Sequence, residues 1–331
     1  MTRTDHSETP LETAAGAAGP QATEAFSLLG NETRLAILLA LWESYDPSTE
    51  NDAVSFSELR ERVDVRDSGQ FNYHLSKLED QFLRKTDEGY ELRRSGLLLV
   101  QSIIAGTAIE NPSFDPVEVD APCPQCGAPT AITYDNVYVY QVCTECEGTF
   151  GAESDHPSGA FRGWTFEPTG LTDRTAEEVF AASTIKTFAR ILLRFEDICP
   201  ECAGPVEWTL DVCADHDPSD EACPNCGRAD PARVRETCTV CKSAGHGTPG
   251  IKVLLHPAVV AFYYNHGIEI GMTGDTSFED VIRTLELYRG FEEEVVSADP
   301  PRIRVTISHE DDELHLLLDE DMNVVDVSDP E

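Results

Sequence analysis

Eleven cysteines stand in this chain of 331 residues, and ten of them fall into five Cys-x-x-Cys pairs. The eleventh, Cys213, is followed three residues later by His216, which makes a sixth pair of the same spacing. A tight turn with two intervening residues aims two donor atoms at one ion, and two such turns complete a tetrahedron. Three segments read as repeats of this device. CPQCGAP…QVCTEC supplies Cys123, Cys126, Cys143 and Cys146; CPECAGP…DVCADH supplies Cys199, Cys202, Cys213 and His216; CPNCGRADP…ETCTVC supplies Cys223, Cys226, Cys238 and Cys241. Two pairings of the last eight ligands fit the spacing. The sequential one is preferred because DVCADH mirrors QVCTEC; in the nested one Cys199 and Cys202 join Cys238 and Cys241.

Three zinc ions are expected, because thiolates with imidazole at these spacings suit a closed d¹⁰ site, with iron–sulfur or redox chemistry as the rival. Four protein ligands leave no open coordination position, so the ions are read as structural, replacing a core that short segments cannot build. Metal or redox sensing is the alternative. No phosphate-binding loop, dinucleotide fingerprint or nucleophile elbow occurs, and an enzyme is not expected.

The elements that must carry these turns are legible in part. Ala131–Val142, between the first two pairs, reads as a hairpin and makes residues 121–150 a zinc ribbon. Thr172–Asp197 reads as a helix within a connector of 151–198, and 199–250 is a second zinc-binding region. His256–His266 and Phe278–Tyr288 read as helices, while Arg302–Ser308, Glu313–Leu318 and Met322–Val327 read as a small antiparallel sheet. These make 251–331 an acidic α+β module.

Ahead of the cysteines the text is strongly periodic. Residues 1–20 read as a disordered tail and 108–120 as a linker. Between them, in 21–107, lies a short helix Ala22–Leu29 closed by Gly30. Asn31 then caps a helix with Leu35, Leu38, Leu39 and Trp42 at helical spacing. Val54–Phe56 reads as a strand, and Ser55 or Ser57 opens a helix carrying Leu59 and Val63. Asp67 opens another, Ser68–Asp80, with Phe71, Leu75 and Leu78 on one face. Asp87-Glu88-Gly89 joins two short strands, and Leu97–Ala108 is a last apolar helix.

That order is the plan of a winged helix-turn-helix. LLGNETRLAILLAL, FSELRERVDVRDSGQFNYHLSKLEDQFL and GYELRRSG resemble, in order, the opening, the helix-turn-helix and the wing of ArsR-type winged-helix transcriptional regulators. The resemblance covers about a quarter of the chain. It implies a dimer paired through the first and last helices of the domain, bound to double-stranded DNA. The cysteines that metal-sensing members carry in the first helix of the helix-turn-helix are missing from Ser57–Val63, so sensing through that helix is not expected. A winged helix followed by a zinc ribbon also resembles archaeal transcription factor E, a factor that contacts the transcription machinery.

With Phe71, Leu75 and Leu78 turned inward, Tyr73, Ser76 and Lys77 face outward, and Gln70 and Asn72 lie on the flanks. Asn and Gln pair with adenine in bidentate fashion, and Lys favours guanine or phosphate. Arg84 and Lys85 on the wing suit phosphate contacts, as do Arg93 and Arg94 on its return strand. His74 falls beside the inward stripe and reads as a packed core histidine.

Charge agrees with this division of labour. The chain carries 61 acidic and 24 basic residues, a formal net of −37. Such a surface self-repels in dilute buffer, and molar salt removes most of the penalty, so the bias reads as adaptation to a salt-filled cytoplasm. From Arg66 to Arg94 the balance differs: six basic residues (Arg66, Lys77, Arg84, Lys85, Arg93, Arg94) meet six acidic ones (Asp67, Glu79, Asp80, Asp87, Glu88, Glu91). The acid excess is suspended where DNA would lie. The N-terminus has no apolar run that reads as a secretory signal, and no segment is long enough to span a bilayer. The sequence therefore reads as an α+β protein, with an N-terminal winged helix-turn-helix domain, zinc-ribbon modules and a small C-terminal α+β module. Its expected function is sequence-specific regulation of transcription as a cytoplasmic homodimer.

Overall fold

A computed structural model describes residues 28–49, 52–106, 112–150, 156–217, 223–228, 230–270 and 276–328, and statements of number or absence concern these. They form a mixed α/β protein with eight α-helices and thirteen strands in four small antiparallel sheets. The chain divides into two compact units: residues 1–113 with 166–173, and residues 114–165 with 174–331. No helix among the described residues is long and apolar enough to cross a membrane.

The first unit is built from four helices and a hairpin. Helix α1 (Glu32–Trp42) begins at Asn31, whose side chain accepts from Arg34 N–H and satisfies one of the free amides of the first turn. Helix α2 (Phe56–Arg62) begins at Ser55, which accepts from Glu58 N–H. The Glu58 carboxylate turns to Arg62 instead of reaching back, so only half of a capping box forms. Helix α3 (Ser68–Leu78) starts at Asp67, which accepts from Gln70 N–H. Strands β1 (Leu83–Lys85) and β2 (Tyr90–Leu92) pair with Leu83 opposite Leu92, and α4 (Arg94–Ile104) follows. The core joins Ile37, Leu38 and Leu41 of α1 to Leu59, Phe71, Leu75, Leu78, Leu83 and Val100.

The expected strand at Val54–Phe56 is a single bridge, Val54 to Tyr90, and Phe56 already belongs to α2. That bridge explains Gly89: a Cβ there would lie 2.2 Å from the Val54 carbonyl oxygen. Of the expected helix Ala22–Leu29, residues 22–27 lie outside the described residues, as does the tail at 1–20.

The second unit carries three sheets. β3 (Phe114–Val119), β4 (Thr130–Asp135), β5 (Tyr138–Cys143) and β6 (Ala160–Thr165) pair in chain order. Helix α5 (Ala176–Phe195), closed at its start by a full capping box of Thr175 and Glu178, lies against β4, β5 and β6. β7 (Val206–Val212), β8 (Ala232–Cys238) and β9 (Ala244–Gly247) form the second sheet. After α6 (Gly250–Val253), α7 (Pro257–Asn265) and α8 (Phe278–Arg289) comes the third, a meander of β10 (Glu292–Ala298), β11 (Pro301–His309), β12 (Asp312–Leu318) and β13 (Val324–Ser328).

Three expectations change here. The linker 108–120 is in part strand β3, which pairs with β4 through Val117 and Ile132; the alternation of residues 114–119 is weak because most of this strand is exposed on both faces. The connector 151–198 contains β6 as well as a helix. The boundary at 250 is not a break in packing, since Ala232 and Val234 of β8 share one core with Ile303, Val305, Leu316 and Leu318 of the C-terminal sheet.

One half-buried carboxylate ties that sheet to α6. Glu293 of β10 accepts from Gly250 N–H at 2.6 Å. Burial pushes its carboxyl up to about 7, with the Asp230 charge adding to the rise and the contacts to Thr248 and Gly250 opposing it. A carboxyl raised in the folded state favours folding while protonated. Its contribution is full below the ordinary value of 4.5 and is lost as pH rises through 7. Glu293→Gln keeps an acceptor for Gly250 and removes the titration. Urea unfolding of this variant in molar salt should be flatter between pH 4.5 and 7.5 than that of the parent, with a gain of about 3 kcal/mol at the upper end. An unchanged pH slope would show that Glu293 carries no such strain.

Candidate functional site

The twelve expected metal ligands come together in three groups of four. In each group the ligating atoms all lie within 4.8 Å of one another, which is geometry for holding a metal ion. The first group is Cys123, Cys126, Cys143 and Cys146; the second is Cys199, Cys202, Cys238 and Cys241; the third is Cys213, His216, Cys223 and Cys226. The pairing is therefore nested, and the preferred sequential pairing is overturned.

The hairpin register gives the reason. In the first group Thr130, seven residues after Cys123, stands opposite Cys143; in the second Val206, seven residues after Cys199, stands opposite Cys238. The turns match bond for bond. Gly127 N–H donates to Cys123 O and Ala203 N–H to Cys199 O; Thr144 N–H donates to Pro129 O and Thr239 N–H to Pro205 O. ETCTVC, not DVCADH, is thus the counterpart of QVCTEC. Between Cys202 and Cys213 there is room for β7 alone. Its seven residues carry the chain roughly 23 Å away from the first turn instead of returning to it. Cys213 consequently meets the CPNC turn at the far end of the β7–β8 hairpin, where its N–H donates to Pro231 O at 2.8 Å. One hairpin carries a site at each end.

Thiol contacts within the groups are 3.5 Å from Cys126 to Cys143, 3.7 Å from Cys123 to Cys146, and 3.6 Å for both Cys199–Cys241 and Cys202–Cys238. All exceed the ~2.05 Å of a disulfide. His216 Nδ1 stands 3.6 Å from Cys226 Sγ. Backbone amides prepare one sulfur of each four-cysteine group for ionisation. Burial raises Cys143, but N–H donation from Cys146 and Glu145 outweighs it and brings the thiol to about 6. Donation from Cys241 and Val240 does the same for Cys238, also to about 6. Cys146 and Cys241 accept lowering contacts from Gly148 and Ser243, yet neighbouring sulfurs and burial push both up to about 12. Each of these groups thus has one sulfur whose amide contacts favour the thiolate, the form that ligates a metal.

The first group is braced from outside. Arg162 of β6 bridges Gln141 of β5 (3.0 Å) to Glu286 of α8 (2.8 Å), and Arg289 of α8 donates to the Pro124 carbonyl inside the CPQC turn.

In the first unit, helix α3 buries Phe71, His74, Leu75 and Leu78 and leaves Gln70, Asn72, Tyr73, Ser76 and Lys77 exposed, as the periodicity predicts. Tyr73 is 54% exposed, with Lys77 Nζ 5.7 Å from its ring. Burial, with a smaller push from the Arg34 charge, lowers the His74 imidazole. Arg84 and Lys85 of β1 are exposed, but Arg84 is engaged with Glu91 at 2.8 Å, and Lys85 lies 5.7 Å from the Tyr90 ring. A polar recess beside them is lined by Asp80, Gln81, Arg84, Arg93, Arg94 and Ser95. Gln81 and Ser95 were not picked out from the sequence. Their bond, Ser95 Oγ to Gln81 O, joins the turn after α3 to α4 and has no periodic signal.

The nested pairing is testable by metal counting. Replacing Cys202 and Cys241 together by Ser should remove one cobalt(II) ion of three, by elemental analysis and thiolate-to-cobalt absorption. Loss of two would restore the sequential pairing.

Comparison with known families adds two matches and no function. No curated protein matches the chain. Residues 22–103, inside the first unit, match the domain of unknown function DUF7347. Residues 120–324, well over half of the chain and the whole of the metal-ligand set, match the domain of unknown function DUF7351, and the protein belongs to that family.

Proposed function

We propose that the chain is a sequence-specific, DNA-binding transcriptional regulator of ArsR-like winged-helix type. The observation that carries this reading is the two-sided character of α3: a fully buried Phe71–Leu75–Leu78 ridge and, opposite it, the exposed row Gln70, Asn72, Tyr73, Ser76 and Lys77. An anchored helix with amide, hydroxyl and ammonium groups outward is what major-groove readout requires. The order α1, α2, α3, β1–β2, α4 supports the winged-helix plan, with the β1–β2 hairpin as its wing. The recess with Arg84, Arg93 and Arg94 suits a backbone phosphate. Leu98, 48% exposed on α4, supports pairing of two copies through the terminal helices of the domain.

The three ligand groups are assigned to structural zinc. A tetrahedral zinc with ~2.3 Å bonds separates its sulfurs by about 3.8 Å, and a sulfur from an imidazole nitrogen by about 3.6 Å. The thiol contacts of 3.5–3.7 Å and the His216 contact of 3.6 Å lie close to those edges. Closed sites of this kind hold hairpins together and leave no position for substrate, which favours a non-enzymatic, intracellular regulator.

The Arg84–Glu91 pair favours a second reading, because it leaves the wing nearly neutral. A basal factor resembling archaeal transcription factor E would use this domain for protein contact. Footprinting on native promoter DNA in molar salt separates the two. A discrete protected palindrome is the result expected of a regulator, and association seen only with polymerase is that expected of the factor. Tyr73→Ala and Lys77→Ala should each weaken specific binding by about 1–3 kcal/mol without lowering the melting temperature, and unchanged affinity in both would remove α3 as the reading face.

A further inference from the structure

The second unit contains a cavity of about 240 Å³ that none of the metal or nucleic-acid readings uses. Its aromatic walls are Phe188 and Phe195 of α5, Trp208 of β7, Tyr288 of α8 and Trp164 of β6. Well-packed interiors seldom keep an apolar void of this size, because the lining loses its dispersion contacts. Two features of the chain hold it open. Gly247, on β9, contributes no side chain; a Cβ there would meet only Ile251 Cγ2, at 3.8 Å. Thr184 and Thr187 of α5 line the cavity at positions where a larger apolar residue would fill it, and both hydroxyls are already committed to backbone carbonyls of their own helix.

One side of the lining is polar. Glu236 of β8 and exposed His246 of β9 belong to it, and Arg194 lies behind Glu236 at 3.9 Å. Two buried donors in this region lack a hydrogen-bond partner among the described residues, Trp164 Nε1 and Arg194 Nη1. An apolar, aromatic-walled cavity with polar groups on one side and, in its lining, a donor without a hydrogen-bond partner, Trp164 Nε1, is the composition of a small-molecule site.

We infer that this cavity binds a small, flat, largely apolar molecule carrying a hydroxyl or comparable group. The volume is below the ~300–1,000 Å³ typical of drug-sized ligands, which points to a compound of one or two rings. Aromatic walls on several sides favour a ring system that stacks against them. A hydroxyl can donate to the Glu236 carboxylate and accept from a buried N–H, which satisfies groups that an apolar ligand would leave unpaired. The inference stands on the second unit alone and is independent of the nucleic-acid reading.

Two of the three tryptophans, Trp164 and Trp208, line the cavity, so intrinsic emission reports its occupancy. The metal-loaded full chain in molar salt is titrated with 2-naphthol. Saturable quenching at one molecule per chain is expected, with affinity at least tenfold weaker for the methyl ether, which cannot donate. Gly247→Leu fills the cavity from β9 and Thr187→Leu fills it from α5. Each should weaken 2-naphthol binding at least tenfold while retaining three metal ions and the parental unfolding midpoint. Should one variant fail to fold, the other carries the test. Quenching that does not saturate, or that persists unchanged in a folded variant, overturns the site. Equal affinity for the methyl ether overturns the assignment of a donor group to the ligand.

Discussion

Four donor atoms meeting at one point, three times over, is the constraint on which the second unit depends. The β4–β5 hairpin and the β7–β8 hairpin are short, and β7 alternates buried and exposed residues with only one face covered. Each belongs to a small sheet, of four strands with β3 and β6 and of three with β9, so restraint at the hairpin ends adds to the support of its neighbours. A four-ligand group at the end of each fixes the register, because a slip of one residue would turn the ligands away from one another. The β7–β8 hairpin is held at both ends, one group before β7 and after β8, the other at its tip. Arg162 and Arg289 then tie the first group to α8, so that the ribbon and the C-terminal elements are bonded as well as packed.

The first unit needs no such device. Its core runs through all four helices and the hairpin, with Ile37, Leu38, Leu59, Phe71, Leu75, Leu78 and Val100 fully buried. What distinguishes it is charge. In a chain of net −37, the stretch from Arg66 to Arg94 is balanced, and part of that balance is spent locally in the Arg84–Glu91 pair. On the proposed nucleic-acid reading, binding through such a face would release few counterions and depend little on salt.

Reading the sequence recovered what local patterns encode. Asn31, Ser55 and Asp67 cap their helices because a short polar side chain can reach an amide three residues on, and that relation lies within one turn of chain. The inward set of α3, His74 included, followed from helical spacing alone. The twelve ligands were visible as residue types, but their partners were not, since pairing depends on where a strand ends. The likeness of DVCADH to QVCTEC misled; the gap between Cys202 and Cys213, wide enough for one strand and too narrow for two, was the better signal. Strands β7 and β8 were missed although both alternate, because cysteine spacing was read ahead of strand pattern there; β3, β6, β9 and β10 escaped notice for a related reason. β3 is mostly exposed, β9 is AGHG, and β10 opens with three glutamates, so none shows an apolar alternation strong enough to read. The cavity was illegible, because it is made by residues that are small or absent at Gly247, Thr184 and Thr187 on elements distant in sequence.

The central claim is that the ions hold the second unit's hairpins in register. Graded chelation of the metal-loaded chain in molar salt, with metal release and backbone hydrogen exchange followed together, tests it most directly. The account predicts that amides of β4–β5 and β7–β8 lose protection at the chelator concentration that removes the ions, while those of α1 to α4 stay protected. Ions leaving while both hairpins keep their protection would contradict it.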